Sequence, residues 1–171
     1  ALLAYLLAMP GRVAARDHLL HMFWSDIDET LARHSLRQTT YFLRQRLGDD
    51  ALRAEGGTVE LIASVRCDGD AFLEAVRAGE LEKAVDAFGG EYLAGFVVPG
   101  ALEFEHWADA ERQRMRLLFL RSAESLARDH LQCGRFRPAR ELAERMLRTE
   151  PLDETAWRLK LEAALAAGDY V

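Results

Sequence analysis

The sequence predicts a mainly α-helical chain in two parts, and three observations predict it. Up to about residue 66 the pattern reads helix, helix, helix, hairpin. From about Asp68 onward it is helical throughout. Within that second part Gly134-Arg135-Phe136 recurs as Gly168-Asp169-Tyr170, 34 residues later, which is a repeat period and not a single turn.

Each element has a local reason. Residues 1–9 are an apolar helix stopped by Pro10-Gly11. Val13 is expected to be a short extended connector. Arg16 to Phe23 is a second helix, with Leu19, Leu20 and Phe23 at inward spacing. Trp24 to Glu29 is a polar loop around Ile27, and Asp28 or Thr30 can cap the helix that follows. That third helix runs to Leu47 and stops at Gly48-Asp49-Asp50. Ala51 to Glu55 alternates like a strand, Gly56-Gly57 is a turn, and Thr58 to Ile62 is the return strand. Three helices followed by a two-stranded hairpin is the element order of a winged helix-turn-helix, whose last helix enters the DNA major groove while the hairpin tip touches backbone or minor groove.

The third helix carries the sharpest functional signal. At about 100° per residue, Ala32, Leu36, Thr40, Leu43 and Leu47 share one face. Arg33, Arg37 and Arg44 cluster about a quarter-turn away with Tyr41 beside them, and His34, Gln38 and Gln45 continue onto the outer face. An anchored helix with a cationic flank suits an anionic groove. Arginines bind phosphates or pair with guanine edges, and Gln38 has the geometry for a bidentate contact to adenine. Tyr41 can touch a thymine methyl or a phosphate. Arg53 and Thr58 flank the hairpin tip and are the candidate backbone contacts there. The whole net charge of −6 belongs to the second part. Residues 1–66 hold eight basic and eight acidic side chains, against fourteen and twenty beyond. Any nucleic-acid contact must therefore be local.

In the second part, Ala139, Pro151 and Trp157 fall between the repeated glycine motifs in the phase of a tetratricopeptide repeat. Gly79-Glu80-Leu81 is a degenerate earlier copy. Glu91 to Pro99 breaks the pattern, and a long helix runs from about Glu103 to Cys133. Trp107, Met115, Leu118, Phe119 and Leu126 are expected to form the core of the array. The concave face of such arrays binds peptides or subunits. The chain starts inside a helix and stops where another is due, so both ends are expected to continue.

Composition excludes several classes. No apolar run approaches the roughly 20 residues that span a bilayer, so no membrane partner is expected. Cys67 and Cys133 are too few and too far apart for a metal site or a disulfide framework, and read as thiols in a reducing cytoplasm. His18, His21, His34, His106 and His130 form no ligand cluster. Glu103, Glu105 and Asp109 read as a solvated helix face. No phosphate loop, nucleophile elbow or Cys/His pairing is present, so no enzyme, cofactor or metal is expected.

The ordered motifs resemble a known family. Leu36-Arg37-Gln38 and Leu47-Gly48-Asp49-Asp50-Ala51-Leu52 resemble the winged helix of SARP-type regulators, actinobacterial activators of antibiotic-biosynthesis genes. Asp70-Ala71-Phe72, Gly95-Phe96, Glu103-Phe104-Glu105, Trp107 and Ala110-Glu111-Arg112 are similar to their bacterial transcriptional activator domain. The resemblance implies residues 1–66 as an OmpR-type winged helix lacking its amino-terminal sheet, and 67–171 as the tetratricopeptide-like activator domain. It implies double-stranded DNA and RNA polymerase as partners, polymerase meeting the loop Trp24, Ser25, Asp26, Ile27 and Asp28. It further implies a homodimer and a regulatory protein or peptide at the repeats. The alternative expectation is a repeat-based interaction adaptor with a degenerate, non-binding winged helix.

Overall fold

A computed structural model describes residues 1–168; Asp169 and Tyr170, the second copy of the glycine motif's tail, lie outside the described residues. The described helices are α1 (Leu2–Ala8), α2 (Arg16–Trp24), α3 (Glu29–Leu47), α4 (Asp68–Ala78), α5 (Leu81–Ala87), α6 (Leu102–Gln132), α7 (Phe136–Thr149) and α8 (Glu154–Ala167). The strands are β1 (Val13–Ala15), β2 (Leu52–Arg53) and β3 (Thr58–Leu61). Contacts divide the chain into two compact units, one of Ala1–Arg66 with Gly95–Asp109, the other of Cys67–Ala94 with the chain from Ala110.

In the first unit the sheet has three strands, not two. Val13 is no connector but the start of an edge strand, and the order is β1-β3-β2 with both pairings antiparallel. Alternation along β3 explains the register. Val59 and Leu61 point inward opposite Ala14 and Leu52, while Glu60 points out opposite Val13 and Arg53. The expected strand from Ala51 to Glu55 shrinks to Leu52–Arg53, because Asp49–Ala51 closes a short 3-10 turn after α3. The hairpin turn Glu55–Thr58 closes by the Thr58 amide donating to Glu55 O at 3.0 Å. Its central residues Gly56 and Gly57 have φ of 59° and 81°, which only glycine adopts without strain at both positions.

The core of this unit holds an aromatic cluster drawn from distant sequence. Phe104 is wholly buried, with ring centroids 5.2 Å from Phe23 and 5.4 Å from Trp107. Tyr5 meets Trp107 edge-on at 4.8 Å and its hydroxyl hydrogen-bonds His18 at 2.6 Å. The expectation that Trp107 lies in the core of the helical array is therefore corrected: its ring packs in the first unit, on Tyr5 and Phe104. Residues 95–109 likewise depart from the expected division after residue 66, because Phe96, Phe104 and Trp107 supply apolar surface to the first unit's core.

In the second unit Phe72, Ala84, Val85, Phe119, Ala127, Ala143, Met146 and Leu159 share one buried cluster. Small residues at Ala84, Ala127 and Ala143, all fully buried, let the helices approach closely. The turns after α4 and α6 are built alike. Gly79 and Gly134 have φ of 70° and 72°. In each turn the glycine amide donates three residues back, Gly79 to Val76 O and Gly134 to Leu131 O. The next amide donates five back, Glu80 to Ala75 O and Arg135 to His130 O, giving the same glycine-terminated helix end. Burial pushes the Tyr92 phenol up to about 12.

Candidate nucleic-acid interface

Helix α3 is nineteen residues long and begins at a true side-chain cap: the Thr30 amide donates to Asp28 Oδ1 at 2.8 Å. These hydrogen bonds hold the Asp28 carboxyl below its usual range. Ala32, Leu36 and Thr40 are buried and orient the helix. Leu43 is only half-buried and Leu47 is exposed, so the inward stripe ends a turn earlier than the periodicity predicts.

The angular order of the arginines decides their surroundings. Arg33 and Arg44 border the buried face, and both have partners. Arg33 Nη2 meets Glu29 Oε1 at 2.6 Å and Asp17 Oδ1 at 3.9 Å. The Glu29 carboxylate raises the Arg33 pKa, and Asp17 adds to it. Arg44 donates through Nε and Nη2 to Leu52 O, at 3.1 and 2.8 Å, and so pins the helix end to β2. Arg37 lies further out, and its guanidinium has no partner among the described residues. His34, Gln38 and Tyr41 are exposed, Tyr41 by 65%. On the far side Arg46 lies over the Phe42 ring, 5.3 Å from its centroid, with Phe42 itself 57% exposed.

A cleft of about 190 Å³ is lined by Arg16 of α2, Arg33 and Arg37 of α3, and Ala54 and Val59 of the hairpin. Sequence reasoning missed Arg16, which donates to Ala54 O at 3.1 Å. It also missed the exposed Phe42–Arg46 pair. The signal for Arg16 was absent: it opens α2 with no periodic partner, and only the fold brings it beside the hairpin. The hairpin residues are locally engaged. Arg53 pairs with Glu60 at 3.3 Å, and the Thr58 hydroxyl donates to Glu55 O.

The loop after α2 is mixed. Trp24 is half-buried, with its ring 5.7 Å from Phe23, whereas Ser25, Asp26, Ile27 and Asp28 are exposed. Asp26 lies against Gly100, where an added Cβ would sit 3.2 Å from its Oδ2. Among the described residues no group of three His, Cys, Asp or Glu could hold a metal, and no helix is long and apolar enough to cross a membrane. Cys67 and Cys133 are free thiols, and burial pushes the Cys67 thiol up.

Residues 63–170 match the family described as bacterial transcriptional activator domain, BTAD. The matched stretch covers the second unit and the returning segment 95–109, and begins just after the hairpin. No curated protein matches the chain.

Proposed function

Because the chain belongs to the bacterial transcriptional activator domain family, a regulatory and not an enzymatic family, we propose that it is a sequence-specific DNA-binding transcriptional activator. Residues 1–66 serve as its winged helix, and α3 lies in the major groove. The carrying observation is the outer arc of α3, where Arg37, His34, Gln38 and Tyr41 stand exposed beside a cleft holding three guanidinium groups. A duplex phosphate fits the cleft formed with Arg16 and Arg33, while the outer arc reads base edges. Arg44 acts by fixing the angle of α3 to β2. Arg53 and Thr58 support a backbone contact by the hairpin. The exposed loop Ser25 to Asp28 is offered to RNA polymerase, and the second unit carries dimerisation and regulation, taking a regulatory protein or peptide.

The test is titration of the full chain against a pool of random duplexes, followed by selection of the bound sequences and repetition at stepped salt. Counterion release requires log affinity to fall linearly with log salt, by about 0.9 per phosphate neutralised. Affinity indifferent to salt would sink the proposal. A second reading, an interaction adaptor, is favoured by one observation. Trp157, Leu161 and Leu165 form a stripe along α8 that is 49%, 61% and 61% exposed.

A further inference from the structure

A second concave site lies wholly within the second unit. The segment Phe88–Tyr92 and one face each of α6 and α7 enclose about 370 Å³. Arg112 and Arg116 stand one turn apart on α6, and Arg145 and Arg148 one turn apart on α7, so four guanidinium groups converge on it. This happens in the part of the chain where acids outnumber bases by twenty to fourteen. Glu91 is the carboxylate lining the pocket.

The four arginines divide by role. Arg112 donates to Tyr92 O at 3.1 Å and Leu93 O at 3.2 Å, pinning the covering segment to α6. Arg145 donates to Val85 O at 2.8 Å, with its guanidinium 5.6 Å from the Phe119 ring centroid. These two are held in place. Arg116 contacts the Gln113 side-chain oxygen and meets Glu150 at 3.5 Å in a half-exposed pair, the kind a stronger anion displaces. Arg148 is exposed and has no partner among the described residues.

We propose that this pocket binds a small organic phosphate, held by Arg116 and Arg148 against the wall formed by Arg112 and Arg145. Guanidinium forks match phosphate oxygens bidentately, which a lysine cluster would not do. A phosphate ester brings about −1.5 to −2 charges and three acceptors to one point, suiting several converging donors better than a single carboxylate. The enclosed volume falls at the small end of the range of about 300–1,000 Å³ for small-molecule sites. The inference goes beyond DNA binding and does not depend on it, since the ligand is measured alone.

The experiment is isothermal titration of the full chain with inorganic pyrophosphate and with ATP as probes, alongside citrate. The expected result is saturable one-site binding of a phosphate probe. Arg148→Gln and Arg116→Gln should each weaken it about tenfold or more, the loss of one charged hydrogen bond. Arg137→Gln, at an outward position of α7, should leave it unchanged. Equal thermal melts of the three variants confirm that folding is intact. Absence of saturable heat at millimolar probe overturns the proposal. So does equal weakening by Arg137→Gln, which would mean diffuse charge. Citrate binding as tightly as pyrophosphate overturns the phosphate assignment, and binding of a phosphoserine peptide without either phosphate probe assigns the site to a protein partner instead.

Discussion

Helices α3 and α7 carry four arginines each and treat them differently. On α7, Arg137 pairs with Glu141 at 2.9 Å and Arg140 with Glu144 at 3.3 Å, each one turn on, so the outer face neutralises itself. On α3 the sole acid is Glu29, in the first turn, and its partner Arg33 sits at the edge of the buried face. Each helix also anchors one arginine on a distant carbonyl, Arg44 on Leu52 O and Arg145 on Val85 O. Each leaves one guanidinium with no partner among the described residues, Arg37 and Arg148. Arg37 stands on an exposed arc of long polar side chains at the edge of the cleft of about 190 Å³, whereas Arg148 lines the larger pocket of about 370 Å³. The same residue type is thus presented once along the outer side of a rod, beside a small cleft, and once in a larger concavity where four guanidinium groups converge. Acid placement and local curvature, not arginine content, separate the two.

The largest expected effect tests whether α3 has a platform at all. Phe104 is fully buried in the first unit though it arrives from 38 residues beyond Arg66. Phe104→Ala should cost about 3–5 kcal/mol in chemical denaturation, through lost transfer and an unfilled cavity. A cost near zero would mean that the first unit is complete without the returning segment. Next in size is the contrast between the two partnerless arginines. If α3 reads bases, Arg37→Ala should lose about 1–3 kcal/mol of affinity for the selected duplex, while Arg148→Ala should lose none. Equal losses in a binding titration would mean that the two arginines are not presented to different ligands.

The sequence made the helices legible because period and punctuation agreed. Pro10-Gly11, Asp28, Gly48 and Gly134 sit at or next to real helix ends. The outer arc of α3 was legible for the same reason, since angular position follows from spacing alone. What stayed hidden was every contact set by tertiary closure. Val13 looked like a connector because three residues are too few to alternate convincingly, and it is a strand only because β3 lies beside it. Trp107 sits on the long helix's apolar stripe, and spacing cannot tell which of two cores a stripe enters where one helix, α6, contributes residues to both units. Arg16 and Arg148 gave no pattern at all, because their neighbours come from other elements. The pairing of Arg33 with Glu29, by contrast, is local and follows from four-residue spacing within α3.

Smaller effects should appear at the helix caps. Asp153 caps α8 by accepting from the Ala156 amide at 3.0 Å, and Asp153→Ala should cost about 1 kcal/mol in thermal or chemical unfolding. An unchanged stability would show that this end is held by packing alone.

The last test uses pH to separate α3 from α7. Helix α3 starts at a carboxylate cap, whereas α7 starts at Arg135 with no side-chain cap bond. Hydrogen bonds from Thr30 and the Leu31 amide lower the Asp28 pKa from 3.8. A group whose folded pKa is depressed stabilises the fold fully above its unfolded value and loses that contribution as pH falls through the folded value. The difference in melting temperature between the wild type and Asp28→Ala should therefore hold at neutral pH and shrink once the pH drops below 3.8. Acid protonates many other carboxylates, but they are common to both proteins and cancel in the difference. A gap that stays constant into strong acid would mean that Asp28 holds α3 by shape and not by charge, and the outward arc would then keep its orientation independently of pH.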